Sequence, residues 1–208
     1  MKKSYEKNYI EYINNGLSDS VCKIDTKEVS MEIFFTSSIN FLKNRVKNKG
    51  KIYFFGNGAS ASFSNHMALD WSKNGGILSL SLSDSSMLTA LANDYSFEDS
   101  FVEFLKINNP TNNDLVITTS SSGNSPNIVS VLNYCSINNI TTLGLSGLNE
   151  DNKTVQLSKY SLFVPMKTYG MVECIHQVFH HLLLDKFMAI NEWEKLETQN
   201  MNSNNFKL

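Results

Sequence analysis

Twice in this chain an apolar run stops at a polar loop and a helix-forming stretch takes over. The first run is Lys51-Ile52-Tyr53-Phe54-Phe55, followed by Gly56-Asn57-Gly58-Ala59-Ser60 and a helical stretch at about 60–74. The second is Asp114-Leu115-Val116-Ile117-Thr118-Thr119, followed by Ser120-Ser121-Ser122-Gly123-Asn124-Ser125 and the helical Pro126-Asn127-Ile128-Val129-Ser130-Val131-Leu132. Runs of this kind read as strands buried on both faces, as a parallel sheet covered by helices requires. Further strand-like runs near 77–82, 141–145 and 161–164 alternate with helical stretches near 85–92, 98–107 and 171–190. The expected fold is α/β, with a five-stranded parallel sheet flanked by helices on both faces and a long C-terminal helix.

Two helical stretches, 4–15 and about 27–48, precede the first strand. In the second, Phe35, Ile39, Leu42 and Val46 recur at spacings of four, three and four, which makes an apolar stripe. That stripe must be buried, against the sheet or against a neighbouring subunit. With 208 residues the chain can bury one substantial core. One domain is expected over 1–195, with a polar, disordered tail over 196–208. The net charge of −2 provides no basic footprint for nucleic acid. No apolar run is long enough to span a bilayer, and the polar start Met1-Lys2-Lys3-Ser4 is unlike a signal peptide. Cys22, Cys135 and Cys174 are odd in number and far apart, which points to reduced thiols and a cytoplasmic location.

The serine loop suits a small dianion. Four hydroxyls, Gly123 and the free N–H groups of a helix start converge at the carboxyl end of a strand. Ser125 is the expected N-cap, and Pro126 occupies the first helical position, where its missing N–H is harmless. A serine-rich connector of no function has a similar composition. The second loop decides in favour of a site, because open α/β sheets bind ligands at the carboxyl ends of their strands. Neither loop is a dinucleotide fingerprint or a Walker A loop, since the third glycine of the one and the Gly-Lys-Ser/Thr of the other are missing.

Three other groupings carry potential chemistry. His66 and Asp70 lie four apart on one helix face, a spacing that serves a metal, an acid–base pair or a plain surface contact. Glu173, His176 and His180 share a face of the last helix, with His181 about 100° further round beside Leu182 and Leu184. His181 is then either a satisfied core histidine or a functional one. Asn93-Asp94 reads as a turn or cap, or as a contact to sugar hydroxyls.

Taken together these segments resemble the sugar isomerase (SIS) domain family, and within it the phosphoheptose isomerase group. The matching segments are Gly56-Asn57-Gly58-Ala59-Ser60, Asn65-His66-Met67-Ala68-Leu69-Asp70, Ala92-Asn93-Asp94-Tyr95, Ser120 to Asn127, and Val172-Glu173 with His181. They follow the family's order and spacing over nearly the whole chain. The resemblance implies a single SIS domain and a homotetramer with active sites between subunits, in which residues 1–48 serve oligomer packing. It implies conversion of sedoheptulose 7-phosphate to D-glycero-D-manno-heptose 7-phosphate, a step toward heptose in bacterial surface polysaccharide. Asp70 and His181 match the catalytic positions. Asn57, Gly58, Ala59, Ser60, Asn93, Asp94, Ser120, Ser121, Ser122, Ser125 and Glu173 match substrate-contacting positions. His66, Asp70, Glu173 and His181 match a zinc site found in some members.

The chain departs from the family pattern in four places. Asp70 stands where Glu is usual, Glu173 where Gln is usual and Ala59 where Gly is usual. The Tyr169–Glu173 turn is shorter and lacks an aspartate. These changes leave three alternatives to a heptose isomerase: an isomerase of another phosphosugar, a phosphosugar-binding protein, or a partner-binding tetramer. They also leave His180 as a stand-in for His181.

Overall fold

A computed structural model describes residues 4–191. The chain opens with α1 (Tyr5–Ser18), a hairpin of β1 (Val21–Ile24) and β2 (Lys27–Val29), and α2 (Met31–Lys47). Alternating units follow: β3 (Ile52–Gly56), α3 (Ala59–Lys73), β4 (Ser79–Ser81), α4 (Ser85–Asp94), α5 (Ser100–Ile107) and β5 (Leu115–Ser120). The chain continues through α6 (Pro126–Ile137), β6 (Thr141–Gly147), α7 (Lys153–Leu157), β7 (Tyr160–Val164) and α8 (Tyr169–Met188).

The strands form one seven-stranded sheet in the order β2-β1-β7-β6-β5-β3-β4. β3 to β7 are parallel, as expected, but the sheet has seven strands rather than five. The two additional strands are the β1–β2 hairpin, which joins the β7 edge antiparallel. Part of the helix expected over 27–48 is therefore strand β2, and α2 begins only at Met31. The hairpin contains Lys23, Asp25, Lys27 and Glu28, so its sequence has no apolar alternation to announce a strand. Its turn is made by Asp25 at φ 55°, a conformation that Asp tolerates. α7 was not expected either; five residues are too few for a helical period to show.

Side-chain alternation on the buried strands divides the interior into two cores. Ile52, Phe54, Ile117, Leu143 and Leu145 face one side, where α2, α3 and α8 supply Phe35, Leu42, Trp71 and Phe179. Tyr53, Phe55 and Val116 face the other, where α5 and α6 supply Phe101, Leu105, Ile128 and Leu132. Phe35, Ile39 and Leu42 of the predicted stripe are all buried in the first core, so the subunit's own sheet and α8 cover that part of α2. α1 differs: Tyr5, Ile10 and Tyr12 are exposed. The tail predicted from 196 onward lies outside the described residues.

The strand order places the site. The chain leaves β3 toward β4 on one side, then returns to lay β5 on the other side of β3. The crevice between these diverging connections opens above the carboxyl ends of β3 and β5, where a ligand can enter. In register, Gly56 pairs with Thr119 and Ser120 with Ser146, so both loops leave the sheet at the same height.

Candidate active site

Gly56 ends β3 and is fully enclosed; a Cβ there would sit 2.6 Å from the Ser60 backbone, so α3 can approach the strand only over a glycine. Gly58 then takes φ 56° as the N-cap of α3, with open space around it. Ala59 is already the first helical residue, in an ordinary conformation. An alanine in a usual glycine position is therefore accommodated without strain. Ser60 is buried, 4% exposed, on the first turn of α3.

The serine loop turns at Gly123, with φ 65°, where a Cβ would collide with the Asn152 side chain. Asn152 and its helix α7 latch the loop from behind. Thr154 donates from both its backbone N (2.9 Å) and its hydroxyl (3.0 Å) to the Gly123 carbonyl. Lys153 N donates to Asn124 Oδ1 at 2.9 Å. Ser125 stands at the N-cap of α6 and Pro126 follows it, as expected, but the Ser125 hydroxyl makes no capping bond. It lies 3.2 Å from Ser120 Oγ instead. The first N–H groups of α6 thus have no side-chain cap from Ser125, and the two hydroxyls are brought together.

The two loops are tied across the crevice. Asn57 Nδ2 donates to Asn127 Oδ1, and Asn127 Nδ2 donates to Asn57 Oδ1, both at 2.9 Å. Asn127 is 1% exposed and was not singled out from sequence. Its place two residues after Ser125 was the available signal.

A cavity of about 100 Å³ lies between these loops, lined by Asn57, Ser60, Thr119, Ser120, Ser121, Ser122 and Ser125 on one side and by Tyr169 and Glu173 of α8 on the other. At ~30 Å³ per liquid water, that volume suits a phosphate group rather than a whole sugar phosphate. Ser121 Oγ is buried without a hydrogen-bond partner. A buried orphan hydroxyl costs about 1–3 kcal/mol unless a ligand engages it. A wider groove of about 300 Å³ lies at the opposite ends of the strands, beside Asp25, Thr142 and Lys159, and contains none of the loop serines.

A second cluster lies where α3 meets α8. His66 Nε2 is 3.2 Å from Asp70 Oδ2, and the His66 and His181 ring centroids are 5.3 Å apart. Ligand atoms from His66, Asp70 and His181 all lie within 4.8 Å of one another. Two imidazoles and one carboxylate fit the donor set of a catalytic zinc site, which keeps a position open. Glu173 is not among the three. It lies eight residues before His181, about 12 Å of helix, and lines the cavity instead.

The two remaining histidines of α8 are inside the protein. His176 is 0% exposed with Nε2 3.1 Å from the Ser146 carbonyl, and His180 is 2% exposed with Nε2 2.8 Å from Thr119 Oγ1. Burial pushes the His176 ring down to about 4. It pushes His180 down to about 3, with help from the neighbouring His176 and His181 rings. So the adjacent pair divides: His180 points into the core and His181 joins the α3 cluster. Asn93 and Asp94 end α4 on the surface, bonded to each other at 2.9 Å, and do not line the cavity.

Comparison with known proteins agrees with this geometry. The SIS domain family model matches residues 35–147. A phosphoheptose isomerase of Helicobacter pylori (strain Shi470) is 34% identical over 165 residues, covering 75% of this chain and 83% of the relative. Phosphoheptose isomerase 2 of Campylobacter jejuni is 30% identical over 185 residues, covering 85% and 90%. The structure of phosphoheptose isomerase GmhA from Neisseria gonorrhoeae superposes with a TM-score of 0.75 over 89% of this chain and 96% of that one, at 22% identity, which is a likeness of fold.

Proposed function

The chain belongs to the SIS domain family and, within it, to the phosphoheptose isomerases, and from that premise we propose that it interconverts sedoheptulose 7-phosphate and D-glycero-D-manno-heptose 7-phosphate. The observation that carries this reading is the phosphate-sized serine cavity on the same helix, α8, as the His181 cluster.

The phosphate is held by the Ser120–Ser125 loop, by Ser60 and by the positive end of α6. Among the described residues no lysine or arginine lines the cavity, so hydroxyls and backbone N–H groups neutralise the dianion. Binding energy gathered at this remote group serves to hold C1 and C2 in place. Asp70 removes a proton from C1 as His181 donates one to the C2 carbonyl oxygen, giving an enediol. A proton is then returned to C2, and the C1 hydroxyl gives up its proton to become the aldehyde. The alternative assignment exchanges the two roles, with His181 as the base and Asp70 as the acid.

His66, Asp70 and His181 would hold a zinc ion, which when bound polarises a carbonyl or enediol oxygen. Glu173, the fourth residue of the zinc set implied by the family, lines the cavity rather than the cluster. Asn93 and Asp94, exposed on α4, serve an adjoining subunit's site in a homotetramer packed in part through α1. The reaction supplies heptose for surface polysaccharide in the cytoplasm, where sugar phosphates are found.

The test is to follow sedoheptulose 7-phosphate by NMR with purified protein, with and without chelator and added zinc. Appearance of the aldose 7-phosphate supports the assignment. Absence of turnover at any metal concentration, with the assembly intact, moves the reading to another phosphosugar or to a binding protein.

A further inference from the structure

The His180–Thr119 contact belongs neither to the phosphate contacts nor to the His66–Asp70–His181 cluster, yet it joins the two. Thr119 is the penultimate residue of β5 and lines the cavity, and Ser120 to Ser122 follow it directly. Its hydroxyl is 2.8 Å from His180 Nε2, and both residues are almost completely buried, at 1% and 2% exposed. One turn earlier on α8, His176 bonds the carbonyl of Ser146, which pairs with Ser120 in the sheet. Two imidazoles on one helix therefore grip the carboxyl ends of two adjacent strands. The same helix carries Glu173 to the cavity and His181 to α3. Apolar residues at 119 and 180 would fill a core position without giving the contact a direction. A directional bond between buried groups fixes its height.

We propose that His180 is a positioning residue: through Thr119 it holds the serine loop at the height, relative to α8, at which the cavity binds the phosphate of a phosphate monoester. This rests on the phosphosugar reading above, but its test does not need turnover.

The experiment is calorimetric titration of inorganic phosphate into the wild-type protein, Thr119→Val, His180→Leu and the double variant, with melting temperatures recorded for each. Turnover of sedoheptulose 7-phosphate is measured in parallel. Thr119→Val removes only the hydroxyl and keeps the shape. Each single variant is expected to weaken phosphate binding about tenfold, the scale on which a residue without contact to the ligand couples to it. The double variant should lose no more than either single one, because all three break the same bond. In turnover the loss falls on kcat/KM, because the phosphate anchors the reacting carbons.

Wild-type phosphate affinity in the single variants, or losses that multiply in the double variant, would overturn the positioning role. If His180→Leu does not fold, Thr119→Val decides alone. A wild-type protein that binds phosphate but does not isomerise the sugar sinks the isomerase reading and leaves the positioning role to be decided by the variants. A wild-type protein that binds no phosphate overturns the positioning role, while turnover decides the isomerase reading separately.

Discussion

The side-chain amides of Asn57 and Asn127 bond each other twice, at 2.9 Å in each direction, and so lock the loop after β3 to the start of α6. Both amides spend donor and acceptor on each other, which leaves the loop hydroxyls for a ligand. Asn127→Ala should open the crevice. The half-buried Asn57 amide then loses both its side-chain bonds, which costs about 1–3 kcal/mol, so the expected result is a melting temperature several degrees lower and a roughly tenfold fall in kcat/KM. Unchanged values for both would show that the amide pair does not hold the loops.

Gly123→Ala should disable the serine loop. The position has φ 65°, and a Cβ would meet the Asn152 side chain. Strain of this kind costs about 1–3 kcal/mol, and relief requires the loop to move off α7. Phosphate binding is expected to fall by more than stability does. Gly58→Ala makes a control, with a similar φ but open space around it. If both variants bind phosphate alike, the Asn152 latch is not what shapes the loop.

Asp70→Asn and His181→Ala should each reduce turnover by roughly 10²–10⁴, the range for loss of an acid or base. Asp70→Glu, which extends the carboxylate by one methylene, should remain active. Sedimentation of the variants checks that the assembly survives. Full activity in Asp70→Asn and His181→Ala would remove the cluster from the mechanism.

Zinc should bind through His66, Asp70 and His181. Removal of metal by chelator is expected to lower activity, and zinc to restore it. Independently of turnover, zinc titration of the apo protein should show one site per chain that is weakened at least tenfold in His66→Ala, as loss of a ligand predicts. Identical zinc affinity in that variant would place the metal elsewhere.

Acid should destabilise the fold through His176. The ring is pushed down to about 4 by burial, from 6.5 in the unfolded chain, with its bond to the Ser146 carbonyl opposing the shift. Above pH 6.5 both states are neutral and nothing is lost. As the pH falls from 6.5 toward 4, the unfolded chain takes up a proton that the folded one refuses, so stability is lost at up to about 1.4 kcal/mol per pH unit. Urea midpoints between pH 7.5 and 5 should fall in the wild type, and the slope should shrink by about one proton in His176→Gln. An unaltered slope would show that this ring does not stay neutral.

Several features were legible in sequence because they depend on local chemistry or short periods. β3 appears as an apolar run closed by a glycine and β5 opens on Leu115-Val116-Ile117, since strands covered on both faces leave little room for polar alternation. The serine loop announces itself by Gly123 and Pro126, whose backbone limits act within a few residues. His66 and Asp70 meet at 3.2 Å because a helix repeats every 3.6 residues, whatever surrounds it. Other features were not legible. β1 and β2 have four and three residues, too few to show a period and with a charge at three of the seven positions, and they form strands where β7 offers an open edge. The Asn57–Asn127 pair joins residues 70 positions apart, and no local pattern marks it.

The sequence by itself determined an alternating α/β chain with two polar loops at the carboxyl ends of its strands, because hydrophobic period, glycine and proline act locally. Tertiary structure alone decided the order of the strands, and with it the crevice between β3 and β5. It also decided which of two adjacent histidines does what. His180 and His181 are one residue and about 100° apart on α8. Only the packing of that helix against Thr119 on one side and His66 on the other turns the first into the core and the second toward Asp70.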